Sequence, residues 1–170
     1  ETVEKVCEQQ RELGKKVWPA NYNMDGQLVL AGLKADLESL TDTFKEAGAK
    51  RAIVLDMSVA SHCELLTSAV ENLKPYLDEF LKDEFLPVIS NVSTNAYKTK
   101  DEAIELLSAQ LTSPVKYKQS IIAHENEVDL FIEFGNGIVL KGLNRKITKV
   151  PTVNVSDMKT LESVIGELND

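Results

Sequence analysis

Apolar and polar positions recur along the chain with two different periods. Over Thr2–Leu13, Val3, Val6, Cys7 and Leu13 fall at helical spacing and predict an amphipathic helix that Gly14 ends. Lys16–Tyr22 and Gln27–Ala31 carry strand patterns, and Asn23-Met24-Asp25-Gly26 between them predicts a hairpin turn. Lys34–Ala47 returns to helical spacing, with Leu37, Leu40 and Phe44 on one side and Gly48 beyond its end. Arg51–Leu55 reads as a third strand, of the buried type.

The order is α-β-β-α-β. The common small sandwich of this kind, the split βαβ or ferredoxin-like unit, runs β-α-β-β-α-β. The pattern therefore predicts a ferredoxin-like subdomain over residues 1–56 whose first strand lies before Glu1. Neither a Met nor an N-cap residue precedes the first helix, which reads as a piece of a longer polypeptide.

A second region, residues 57–170, alternates strands and helices. His62–Leu81 reads as one long helix with a possible break at Pro75, and Pro87–Ser90 as a short buried strand. Asp101–Leu111 is a predicted helix that stops before Ser113-Pro114, because a residue preceding proline disfavours helical geometry. Lys116–His124 is a further helix, Asp129–Phe134 and Pro151–Val155 are strands around a helix at Ile138–Lys146, and Ser156 or Asp157 caps a last helix. Such alternation implies an α/β fold with a mostly parallel sheet.

Composition narrows the function. Apolar runs such as Leu28–Ala31 stop far short of the roughly twenty residues of a membrane helix, so no membrane partner is expected. A net charge of −8, from 27 acidic and 19 basic side chains, argues against nucleic acid as a partner. The basic residues are nevertheless grouped, with Lys141, Arg145, Lys146 and Lys149 close together. Cys7 and Cys63 form no CxxC pair, and with no secretory signal in view a reduced, cytoplasmic setting is expected.

Few side chains here carry chemistry. His62 follows a strand and a short loop and is expected to open a helix, the junction at which open α/β sheets place catalytic groups. Its neighbour Cys63 makes a poor partner, because consecutive helical residues point about 100° apart. His124 lies in a polar helix end and reads as solvated surface. Gly135-Asn136-Gly137 reads as a tight strand-to-helix turn; Leu140 stands where a dinucleotide fingerprint has its third glycine, which leaves a phosphate role as the lesser reading. No metal-ligand spacing links the histidines and cysteines.

Six segments, taken in order, resemble one family. These are Asn21–Gly32 (N-x-N-x-x-x-Q-x-V-x-x-G), Ala47–Arg51, Ser58–Cys63 (S-V-x-x-H around His62), Pro87–Val92 (P-V-x-S-N-V), Gln110–Val115 (Q-L-x-x-P-V) and Glu133–Leu140 (E-x-G-P-G-x-V-L, with Asn136 in place of the proline). They resemble the malonyl-CoA:acyl carrier protein transacylases and the acyltransferase domains of polyketide and fatty-acid synthases, in their C-terminal portion. The resemblance implies an α/β-hydrolase-like larger subdomain, of which residues 57–170 form the C-terminal part. It implies a malonyl transfer in fatty acid biosynthesis, from coenzyme A to a phosphopantetheine thiol through a serine acyl-enzyme.

Carried over by motif, His62 is the general base and Gln110 supplies the backbone carbonyl that orients it. Lys50, Arg51, Arg145 and Lys146 match basic positions for docking an acidic acyl carrier protein. No resident cofactor is implied beyond the substrate malonyl-CoA and the carrier's phosphopantetheine. The family's G-H-S-x-G nucleophile elbow, its G-Q-G-S motif and its carboxylate-clamping arginine have no counterpart here and are expected upstream of Glu1. The missing N-terminal portion is then a required partner, and this piece alone is expected to be inactive. A non-catalytic binding module of the same fold and a related serine hydrolase are the competing expectations.

Overall fold

The computed structural model describes residues 2–169. Helix α1 (Thr2–Glu12) packs on a hairpin of β1 (Val17–Met24) and β2 (Gln27–Gly32). The apolar face of α1 meets Val17, Leu40 and Phe44 through Val6 and Cys7, and these five buried residues form the first core cluster. The hairpin closes on Asp25-Gly26, where Met24 faces Gln27 and Gly26 takes φ 78°, a left-handed value that glycine reaches without strain. Where β2 leaves the hairpin, a Cβ on Gly32 would collide with the Lys16 carbonyl, so the close approach of the two strands depends on glycine.

Two register shifts interrupt the hairpin, between Pro19 and Asn21 and between Tyr22 and Met24. The first bulge turns part of the outer edge of β1 toward another segment. Tyr22 N donates to Val115 O at 2.8 Å, and Val115 N donates to Ala20 O at 2.8 Å. This parallel bridge, Asn21 to Val115, ties the first half of the chain to the second.

The helix expected over Lys34–Ala47 is divided into α2 (Lys34–Ser39) and α3 (Thr41–Glu46). Leu40 at the junction is buried and fills the first cluster. Arg51–Leu55 is not a strand. Ile53 and Leu55 are 63% and 59% exposed, and among the described residues no neighbouring strand offers a hydrogen-bond ladder. A strand exists by pairing, so the apolar run alone does not make one.

The long helix expected from His62 also begins later. His62 has φ 61°, a left-handed backbone that cannot open a right-handed helix. A 3₁₀ turn (Glu64–Leu66) comes next, then α4 (Thr67–Phe80), which continues through Pro75 rather than breaking there. The short strand β3 (Val88–Ile89) is exposed, not buried, and pairs antiparallel with β4 (Ala96–Tyr97), a two-residue strand too short to leave a sequence pattern.

The remaining elements lie within two residues of expectation. Helix α5 (Lys100–Gln110) starts from a capping box in which Thr99 and Glu102 satisfy each other's backbone N–H. Next comes α6 (Tyr117–His124). Strands β5 (Phe131–Phe134) and β6 (Thr152–Val155) run parallel, joined through α7 (Val139–Ile147). Asp157 caps α8 (Met158–Asn169), its Oδ1 accepting from Thr160 N at 2.8 Å.

The whole is an α/β arrangement of eight helices and three two-stranded sheets among the described residues, and only the β5–β6 pair is a parallel sheet. None of these helices is long and apolar enough to cross a membrane.

Candidate active site

The backbone at His62 is held in an uncommon conformation by its buried neighbour. Cys63, extended at φ −150°, is 1% exposed and packs with Trp18, Ala20 and Ala31 in a second core cluster. A non-glycine residue at positive φ costs about 1–3 kcal/mol and persists only where its surroundings over-determine it. Anchored by Cys63, the His62 ring leaves the core and reaches α5.

The His62 Nδ1 lies 2.8 Å from the backbone oxygen of Gln110. A carbonyl only accepts, so in the neutral ring Nδ1 carries the proton and Nε2 keeps its lone pair. Gln110 is the last residue of α5, one of the terminal positions whose carbonyls have no partner in the helix ladder. Residue 114, which would donate to it in a continued helix, is a proline without an N–H, and Leu111 N and Thr112 N turn back to Ser108 O and Ala109 O. The acceptor of His62 therefore sits at the C-terminal end of an eleven-residue helix, where a carbonyl is free to take a side-chain donor.

Both ends of this arrangement are tied down. Asn91 Nδ2 donates to Gln110 Oε1 at 3.1 Å, and Lys116 N donates to Asn91 O at 2.8 Å. Beyond Gln110 the chain is fastened to β1 through Val115. Thus four of the six motif segments, those around Asn21, His62, Asn91 and Gln110, converge in space. The link between the Asn91 and Gln110 side chains has no signal in the sequence beyond the presence of both residues in those motifs.

The other candidates fall elsewhere. Burial raises the Cys63 thiol above its ordinary range and pushes Cys7 up to about 11, so neither is poised as a thiolate nucleophile. His124 is not free surface. Its Nδ1 lies 2.8 Å from Glu127 Oε2 and its Nε2 2.8 Å from Thr94 O, and Glu127 first and Thr94 second raise its pKa.

The Gly135-Asn136-Gly137 turn leads into the N-terminus of α7, and that end is already satisfied from within. Glu133 accepts from Leu140 N and Lys141 N at 2.9 Å each, and Asn154 donates to the carbonyls of residues 133, 135 and 137. A carboxylate in this position takes the place a phosphate would need.

Lys50, Arg51, Arg145 and Lys146 are all exposed. Arg51 lines a cavity of about 690 Å³ along the 51–61 segment, whereas Arg145 and Lys146 line a separate one of about 560 Å³ beside Lys149.

No family model matches the chain. It is, however, 41% identical to the malonyl CoA-acyl carrier protein transacylase of Bacillus subtilis (strain 168), in an alignment covering 100% of this chain and 55% of that protein. The chain is homologous to the malonyl CoA-acyl carrier protein transacylases. The transacylase of Haemophilus influenzae is 35% identical, over 96% of this chain and 53% of its own length. The crystal structure of the Helicobacter pylori transacylase superposes with a TM-score of 0.92 at 44% identity, covering 99% of this chain and 54% of that one.

A malonyl-transacylase in complex with a type II PKS acyl-carrier protein matches with a TM-score of 0.90 at 31% identity, over 98% of this chain and 54% of that one. The chain thus spans about half the length of the transacylases it matches.

Proposed function

We propose that this chain carries the general base of a serine acyltransferase that moves a malonyl group from coenzyme A to the phosphopantetheine thiol of an acyl carrier protein, in the cytoplasm. The observation that carries the reading is the His62–Gln110 contact, which leaves Nε2 as a free proton acceptor. The chain is read as the C-terminal portion of the enzyme, and the serine, oxyanion donors and carboxylate clamp come from the remainder of the polypeptide. In this reading the full-length polypeptide is these residues joined to that remainder.

In the first half-reaction Nε2 takes the serine proton as Oγ attacks the thioester carbonyl. The C–S bond then breaks, and the imidazolium returns the proton to the departing coenzyme A thiol. In the second half Nε2 takes the proton of the carrier thiol, sulfur attacks the acyl ester, and the serine leaves with that proton. In both halves the Gln110 carbonyl steadies the imidazolium, the part an aspartate plays in a Ser-His-Asp triad.

Residues 1–56 are read as the incomplete ferredoxin-like subdomain and 57–170 as part of the α/β-hydrolase-like one. Large exposed apolar side chains, including Ile53, Leu55, Phe134, Ile138 and Val139, support a missing remainder that covers them. Lys50, Arg51, Arg145 and Lys146 are the docking residues proposed for the acidic carrier.

The test is steady-state transfer from malonyl-CoA to holo acyl carrier protein by the full-length polypeptide. His62→Ala should lower kcat by about 10³-fold. A variant that transfers as well as the parent would remove His62 from the chemistry.

A further inference from the structure

Gln110 presents its carbonyl from the last position of α5, where the peptide it shares with Leu111 is held on the helix side by a single long bond, Leu111 N to Ser108 O at 3.3 Å. Further ties come from outside the helix. On the far side of the residue the chain is pinned at Val115 and Lys116, and Lys116 N bonds Asn91 O at 2.8 Å. On the side-chain side, Asn91 Nδ2 donates to Gln110 Oε1 at 3.1 Å. Asn91 therefore grips the Gln110 segment twice, once through its amide and once through its backbone.

Asn91 can act as an anchor only if it is itself immobile, and the turn between β3 and β4 meets that condition. Ser90 is 3% exposed, and its hydroxyl accepts from Val92 N at 3.1 Å and Ser93 N at 3.2 Å. Ser90 N donates to Asn95 O, and Thr94 N donates to Ser90 O, each at 2.9 Å. From outside, His124 Nε2 reaches Thr94 O at 2.8 Å and fastens the turn to α6. The turn is thus cross-linked to itself and to a helix before it meets Gln110.

We propose that Asn91 is a positioning residue for His62: by fixing Gln110 it sets the carbonyl that selects the Nδ1–H tautomer and aims Nε2. The proposal rests on the reading of His62 as the base.

Two readouts on the full-length polypeptide test it. Asn91→Ala should lower kcat by about 10- to 10²-fold, the upper figure being what a misplacement of roughly 1 Å can cost, with KM for malonyl-CoA within about twofold, since binding is not what is removed. Gln110→Ala keeps its carbonyl but loses the same tether, so the double variant should be no slower than Gln110→Ala alone. Asn91→Asp should recover most of the rate, because the Gln110 amide can turn over and donate to a carboxylate.

The second readout is nitrogen NMR of the His62 ring, which should report Nδ1–H in the parent and a mixture of tautomers in Asn91→Ala. An unchanged kcat in Asn91→Ala, losses that multiply in the double variant, or an unchanged tautomer would each overturn the role given to Asn91. If the parent transfers no malonyl group, the acyltransfer reading falls, and the tautomer measurement still decides whether Asn91 positions the ring.

Discussion

His62 and Gln110 stand 48 positions apart in the chain and meet through a 2.8 Å contact between an imidazole nitrogen and a backbone oxygen. Because the acceptor is main chain, no side-chain substitution at 110 deletes it. Gln110→Ala is therefore expected to cost about 10- to 10²-fold in kcat through its lost tether, less than the roughly 10³-fold expected of His62→Ala. Parallel kinetics on the two variants check the order; equal losses would mean that the Gln110 side chain itself takes part.

Cys63 lies beside the candidate base yet is built into the core, with its thiol raised by burial. Cys63→Ala is expected to lower stability and slow transfer by loosening the His62 backbone, yet to keep the malonyl adduct, because a buried thiol at raised pKa is a poor nucleophile. Iodoacetamide should label it slowly in the native state and quickly in urea. Rapid native labelling that abolishes transfer would reassign the nucleophile.

Much of this site was legible in the sequence. The motif segments around His62 and Gln110 could be read directly, and α5 and α6 begin and end within one residue of expectation, the Ser113-Pro114 step marking the gap between them. What could not be read was set by partners. Arg51–Leu55 has a strand's composition but finds no ladder, and β4 is two residues long and exists only through β3. The left-handed backbone at His62 carries no glycine to announce it, and the buried Cys63 that enforces it becomes visible only once Trp18 and Ala31 are packed around it. Glu133 and Asn154 organise the Gly135–Gly137 turn from 21 positions apart, a spacing no local pattern reveals.

The His124 pair should give stability a pH dependence. Glu127 and Thr94 raise the folded-state pKa above the ordinary value of 6.5. A raised pKa contributes stability that is fully present below the unfolded value and is lost as pH rises through the folded one. His124→Gln should therefore destabilise the full-length polypeptide most near pH 6, and the difference from the parent should shrink toward about pH 8.5. Urea midpoints at the two pH values measure it. A difference that grows with pH would mean the ring is held neutral.

Gly32 offers a test of the hairpin. A Cβ there would strike the Lys16 carbonyl, and Val17 beside it is fully buried in the first core cluster. Gly32→Ala should cost about 2 kcal/mol, the scale of overpacking a tight site, with no change in the chemistry of His62. Equilibrium urea unfolding reports the loss, and an unaltered midpoint would show that the two strands can separate freely.

The central claim, that these residues supply the base and another segment the nucleophile, is tested most directly by intact-mass spectrometry after mixing with malonyl-CoA. The account predicts no adduct on residues 1–170 alone, a single malonyl adduct on the full-length polypeptide, and a much slower one on its His62→Ala variant. An adduct on the short chain, or none on the full-length polypeptide, would contradict it.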